Sequence, residues 1–223
     1  MLGGATVAWP LDVRAQQVGK AHRIGFLGSA TAAGSAKAIE SFRAGLREFG
    51  YVEGRNIGIE FRWAEGNYDR LSDLVADLIA TNVDVLITHG TPGTRAAKEA
   101  TTTIPIVMAI SGDAIATGLV SSLARPEANL TGSTYFLPQL NAKRLELLKE
   151  VFPSISRAAA LSNPDNPVSR PIIPAMQAAA ASLNVILEVV RAQGPQRVQS
   201  RLRRHDQEPR RLGRGYRGRG IRC

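Results

Sequence analysis

Three short clusters place small hydroxyl-bearing or acidic residues beside glycine: Gly28-Ser29-Ala30-Thr31, His89-Gly90-Thr91-Pro92 and Ser111-Gly112-Asp113. A fourth, Asn163-Pro164-Asp165-Asn166-Pro167, combines amides with a carboxylate. Glycine lets a ligand come close to the backbone, and a helix start presents N–H donors. Such clusters can therefore hold a small molecule's carboxylate without a buried lysine or arginine. Asp113 or Asp165 can receive an amino group. Every one of these residues also has an ordinary structural use. Ser29, Thr31, Thr91, Ser111 and Asp113 are good helix caps, and Asn-Pro-Asp-Asn-Pro is turn chemistry in any protein.

Catalytic chemistry finds little support. His89 ends an apolar run, but no Ser or Cys nucleophile motif accompanies it, so it reads as structural. Gly25, Gly28 and Gly34 do not make a dinucleotide fingerprint, and no P-loop occurs. Three dispersed histidines (His22, His89, His205) and one cysteine offer no metal-ligand spacing, so neither a metal nor a cofactor is expected. Glu60 and Glu65 flank a strand and face solvent instead of pairing as acid and base.

The elements that must carry the clusters follow from hydrophobic periodicity. HRIGFL, residues 22–27, reads as a buried strand. A helix follows with Ser35 as its N-cap and Ile39, Phe42, Leu46 and Phe49 as one apolar stripe, stopping at Gly50. Ile57, Ile59, Phe61 and Trp63 alternate as a strand, and Leu71, Leu74, Val75, Leu78 and Ile79 mark a second amphipathic helix. Val83–Thr88 and Ile104–Ile110 are the next strands, with a short helix over 91–100 between them. Alternation of this kind predicts an α/β fold, a doubly wound parallel sheet covered on both faces. A fifth strand near Leu130–Ser133 and a helix over 138–151 lead into a second lobe from about Tyr135. That lobe holds strands at Ala158–Ser162 and Val185–Val190 around a helix over 168–183, and two strands alone are marginal. In open α/β sheets ligands settle beyond the carboxyl ends of the strands, which is where the three first-lobe clusters fall.

Net charge is +9, yet eleven arginines and two acids lie between Arg191 and Cys223. The other 190 residues carry seventeen basic and seventeen acidic side chains, so the basic character belongs to the tail. That segment lacks hydrophobic periodicity and is expected to be disordered. An Arg/Gly run can bind RNA. It can also arise from a shifted reading frame, because permitted codons for Gly194–Cys223 read one nucleotide later give AHNEFNRAFAAMTKNRADLAVVIEDAAFV, an amphipathic helix and a strand. The frameshifted tail is the expectation here. At the other end, Met1–Leu11 is apolar, and Val13-Arg14-Ala15 suits a cut before Gln16. Residues 1–15 read as a remnant signal peptide whose true start lies upstream. Cys223 has no internal partner and is silent on redox compartment.

Several segments in order resemble one family: LGGATVAWPLDVRAQQ, IGFLGS, FRAGLREFGYVEGRNIGIEFRWAEGNYDRL, THGTPGTRAAKEATTTIPIVMA, GDAIATGLVSSLARPEANLTGST and KRLELLKEVFPSISRAAALSNPDNP. They cover Leu2 to about Val190 and look like the substrate-binding proteins of ABC transporters that include tryptophan and tyrosine binders. The resemblance implies a type I periplasmic-binding fold, here with an incomplete second α/β lobe. It further implies a monomeric, periplasmic receptor that closes on an amino-acid-like solute and presents it to an ABC permease, with no nucleic acid as partner and no enzymatic activity. On this reading Ser29, Ala30, Thr31, Gly90, Thr91, Pro92, Ser111, Asp113, Asn163, Asp165 and Asn166 line the solute pocket, and an incomplete second lobe makes solute binding weak or absent. Three alternatives stand beside it. A sugar-binding-type regulator needs a helix-turn-helix that 21 leading residues cannot hold. An isomerase-type enzyme needs a reactive pair across the lobes, and an RNA binder would act through residues 213–222.

Overall fold

The computed structural model describes residues 21–126 and 129–193. The signal-like start and nearly all of the basic tail fall outside them.

β1 (His22–Gly28) is nearly continuous in apolar content because it is covered on both faces. Ile24 and Phe26 point to one side and meet Ile39, Phe42 and Leu46 of α1 (Ala32–Glu48). Leu27 points to the other, where α2 (Leu71–Ala80) contributes Leu71, Val75 and Leu78 and α3 (Thr91–Ala100) contributes Ala96 and Ala97. The remaining strands are β2 (Ile57–Trp63), β3 (Val85–His89), β4 (Ile106–Gly112) and β5 (Leu130–Tyr135). All pair in parallel in the order β2-β1-β3-β4-β5. This is the doubly wound sheet that the alternation predicts.

α1 departs from its expected limits. Its N-cap is Thr31, whose extended backbone lets its side chain accept the Gly34 N–H at 3.1 Å. Ser35 is buried one turn further on. Phe49 leaves the apolar stripe and is 83% exposed. The helix has ended at Glu48, and Gly50, at φ +81°, turns the chain away with its N–H on the Arg47 carbonyl.

The second lobe begins with α4 (Leu137–Val151) and continues through β6 (Arg157–Ser162), α5 (Ser169–Ser182) and β7 (Ile186–Arg191). β6 and β7 pair in parallel as a separate two-stranded sheet. Leu145, Ala180 and Val185 centre its small core. Leu161 and Ile186 stay more than half exposed, which a two-stranded sheet with few covering elements leaves unavoidable. Among the described residues no helix is long and apolar enough to cross a membrane.

Candidate functional site

The strand order contains one reversal. β1 passes to β2 on one side of the sheet, and the chain then returns to β3 on the other side of β1. α1 and α3 consequently leave neighbouring strand ends on opposite faces, and a crevice opens between them. Gly28 and His89 face each other in register at this point.

Hydrogen bonds hold the rim of the crevice. The Ser29 N–H donates to the His89 carbonyl at 3.1 Å, and Ser29 Oγ accepts the Gly93 N–H at 3.1 Å, tying the β1 loop to the first turn of α3. Gly90 takes φ +100°, a conformation that costs a side chain steric energy, and a Cβ there would also stand 3.0 Å from Ser29 Oγ. The loop after β2 closes the other side. Ala64, Glu65 and Gly66 donate their N–H groups to the carbonyls of Gly28, Ala30 and Ser29 at 2.9, 3.2 and 3.0 Å.

The resulting cavity of about 350 Å³ takes walls from both lobes. Six of the eleven candidates line it: Ser29, Ala30, Gly90 and Pro92 from the first lobe, Asn163 and Asn166 from the second. The other five lie outside the lining and have structural work. Thr31 caps α1. Thr91 Oγ1 accepts the Gly112 N–H at 2.9 Å. Ser111 is buried with its Oγ 3.4 Å from both Met108 Sδ and Thr134 Oγ1. Asp113 Oδ1 accepts the Ala116 N–H at 3.0 Å, and Asp165 Oδ2 accepts from Gln193 Nε2 at 2.7 Å. Neither carboxylate thus stands ready for an amino group in this cavity.

Three lining residues were not among the candidates: Gly66, Tyr68 and His89. Gly66 and Tyr68 follow β2, whose end carries no hydroxyl-glycine cluster to mark it in the sequence. His89, expected to be structural, lines the wall. Burial pushes its pKa below the ordinary histidine value, partly offset by a hydrogen bond to its own backbone, so the ring is neutral at pH 7. Burial likewise raises the Tyr68 phenol, and the nearby side-chain amides of Asn166 and Asn163 pull it part of the way back. The lining therefore holds hydroxyls, amides, backbone groups and apolar surface, with no ionised side chain among its described members.

A cavity of similar size, about 360 Å³, lies within the second lobe against Leu161, Ile172, Ile173 and Met176. No first-lobe residue reaches it, its wall also carries Asn141, Ser162 and Ser169, and it shares Asn163 and Asn166 with the crevice cavity. The crevice cavity is the one of the two that takes walls from both lobes. Among the described residues no group of His, Cys, Asp and Glu could hold a metal ion.

A family model described as ABC transporter substrate binding protein matches residues 31–208 of this chain. The chain belongs to that family. The match runs past Val190, the limit of the resemblance read from sequence, into the basic tail. Among relatives of this chain, a tyrosine-binding protein of Clostridioides difficile is 32% identical over 127 residues, 57% of this chain and 36% of that protein. A conserved domain protein from Vibrio cholerae superposes with a TM-score of 0.72 at 26% identity, covering 78% of this chain and 58% of the other. An ABC domain from Streptococcus pneumoniae in complex with L-Trp gives 0.75 at 23% identity, covering 83% and 62%. The chain spans about a third of the curated relative and about three fifths of these two solved chains. The shared architecture is the type I periplasmic-binding fold, α/β with a parallel central sheet.

Proposed function

We propose that this chain forms the solute-receiving part of an extracytoplasmic receptor, which takes up a small amino-acid-like molecule and presents it to an ABC permease in the membrane. It acts as a monomer, without nucleic acid and without catalysing a reaction on its solute. The observation that carries the reading is the cavity between the lobes, placed at the reversal of strand order and shared by the Ser29 and Gly90 loops and the Asn163-Asn166 turn. The start of α3 favours an anionic group through its dipole, and Ser29 adds a hydroxyl beside it. Pro92, the neutral His89 ring and the Tyr68 ring offer the body of the solute a largely apolar surface. The tyrosine and tryptophan bound by relatives fit that division into a carboxylate end and an aromatic end.

Closure of the lobes on the solute supplies the signal to the permease, because a ligand touching both walls stabilises only the arrangement that brings them together. The test is thermal unfolding of the chain with L-tyrosine, L-tryptophan and glycine. Weak stabilisation by an aromatic amino acid is expected, rising by about 1.4 kcal/mol for each tenfold increase in solute above Kd. It should be absent with glycine and reduced in Asn166→Ala. Equal stabilisation by all three would sink the proposal.

A further inference from the structure

One face of α5 runs through Ser169, Ile172, Ile173, Met176, Ala179 and Ala180, spaced at the three- and four-residue steps of a helix stripe that seeks burial. The second half of the stripe is covered, with Ala179 and Ala180 in the small core around Leu145 and Val185. The first half is not. Ile172, Ile173 and Met176 belong to none of the hydrophobic clusters among the described residues, and they wall the second-lobe cavity of about 360 Å³ together with Leu161 of β6. Polar groups from three elements share that wall. Ser162 Oγ, at the end of β6, donates to Ser169 Oγ at 2.9 Å, and Ser169 Oγ donates in turn to the Asn163 carbonyl at 2.7 Å. The Ser162 oxygen accepts no hydrogen bond from the described residues, so its lone pairs remain open. Asn141 of α4 gives one Nδ2 hydrogen to the Leu137 carbonyl at 2.8 Å and keeps a second, while its Oδ1 accepts from Arg144 Nη1 at 3.2 Å. No ionisable side chain is among the described lining residues.

We propose that this cavity is a second binding site, for a small neutral molecule with an apolar body and one hydroxyl group. It takes no wall from the first lobe, so it does not depend on the crevice receiving a solute. The hydroxyl of the bound molecule finds an acceptor in Ser162 Oγ and a donor in Asn141 Nδ2. The body covers Ile172, Ile173 and Leu161 and removes their apolar surface from water, with the flexible Met176 thioether fitting itself to the shape. A charged molecule is excluded, because it would give up water without meeting an opposite charge. The size suits such a ligand, since pockets for small molecules span about 300 to 1,000 Å³.

The test uses the methionines of the full chain, Met1, Met108 and Met176. Met108 is buried in the first-lobe core and Met176 lines the cavity, so isotope labelling of the methionine methyl groups supplies both a reporter and a control. NMR spectra are recorded with increasing para-ethylphenol, and Met176→Leu identifies the Met176 signal. That signal should move and saturate with a Kd on the order of 1 mM, while the Met108 signal stays in place. Para-ethylanisole, which has no hydroxyl to donate, should bind about 3- to 10-fold more weakly, and Ser162→Ala should weaken para-ethylphenol by a similar factor. Para-ethylbenzoate should leave the Met176 signal where it is. A Met176 signal that does not move, or that drifts without saturating up to about 10 mM para-ethylphenol, would overturn the proposal. So would an equal response to the benzoate, or a Ser162→Ala protein that binds the phenol as tightly as wild type. Stabilisation by L-tyrosine is measured separately by thermal unfolding, so the receptor reading can fail while this site stands, and the reverse.

Discussion

Replacing Gly112 by alanine adds one methyl group where the two lobes touch. The new Cβ would stand 2.2 Å from Val168 Cγ1 and 3.0 Å from Leu137 Cδ1. Normal carbon contacts lie near 3.5 to 4.0 Å, so Val168 must move by more than an ångström. The end of β4 cannot retreat freely, because the Gly112 N–H is held by Thr91 Oγ1. Overpacking of this kind costs about 1 to 3 kcal/mol, and the reduced freedom of the unfolded chain returns about 0.4 to 1 kcal/mol. A net loss of roughly 1 to 2 kcal/mol is expected. Val168→Ala by itself, at a half-buried position, should cost about 1 kcal/mol. In the double variant the methyl groups no longer collide, and its loss should fall short of the sum of the two single losses by about 1 kcal/mol or more. Urea unfolding of the wild type, both single variants and the double variant measures this coupling. Losses that add to within about 0.5 kcal/mol would refute the contact between the lobes.

Three further expectations concern the first lobe. Thr88 and Thr94 are fully buried with their hydroxyls 2.8 Å apart, and Thr94 Oγ1 also donates to the Gly90 carbonyl at 3.2 Å. Thr94→Val should therefore cost about 1 to 3 kcal/mol by stranding the Thr88 hydroxyl, and pairing it with Thr88→Val should recover part of that loss, as chemical denaturation will show. His89 has a folded pKa lowered by burial, so the unfolded chain takes up the proton first as pH falls. Its contribution to stability is complete above the ordinary histidine value and is lost as pH drops below it. Unfolding free energies from pH 8 to pH 5 should fall more steeply for wild type than for His89→Gln, and parallel curves would contradict the burial argument. Arg43 and Glu53 form a two-point contact at 2.6 and 3.2 Å on the surface, with both side chains well exposed. Glu53→Gln should cost under about 1 kcal/mol at low salt and nothing measurable in 1 M NaCl.

Much of the first lobe was legible in the amino-acid order because its signals are local. The apolar runs at β1, β3 and β4 and the stripes of α1 and α2 report which faces are buried, and burial is what the sheet and its covering helices require. The clusters at Ser29, Gly90 and Asn163 were legible for a related reason, since loops after parallel strands start helices and need glycine, hydroxyl and amide groups. Local signals could not separate a cap from a lining residue. Thr31 and Ser29 look alike in sequence, yet one caps its own helix and the other ties α3 across the crevice.

The reversal of strand order decided that difference, together with the placing of the second lobe. It turned β1 and β3 into neighbours 61 residues apart, as in the register of Ile24 with Val85. It also set the loop after β2 against the Ser29 carbonyl, bringing in Gly66 and Tyr68, which nothing in their immediate surroundings marks as special. Periodicity along the chain carries the identity of a helix or strand, because neighbours in sequence determine it. Which strand ends share one cavity depends on contacts between residues far apart in sequence, and only the packed fold contains them.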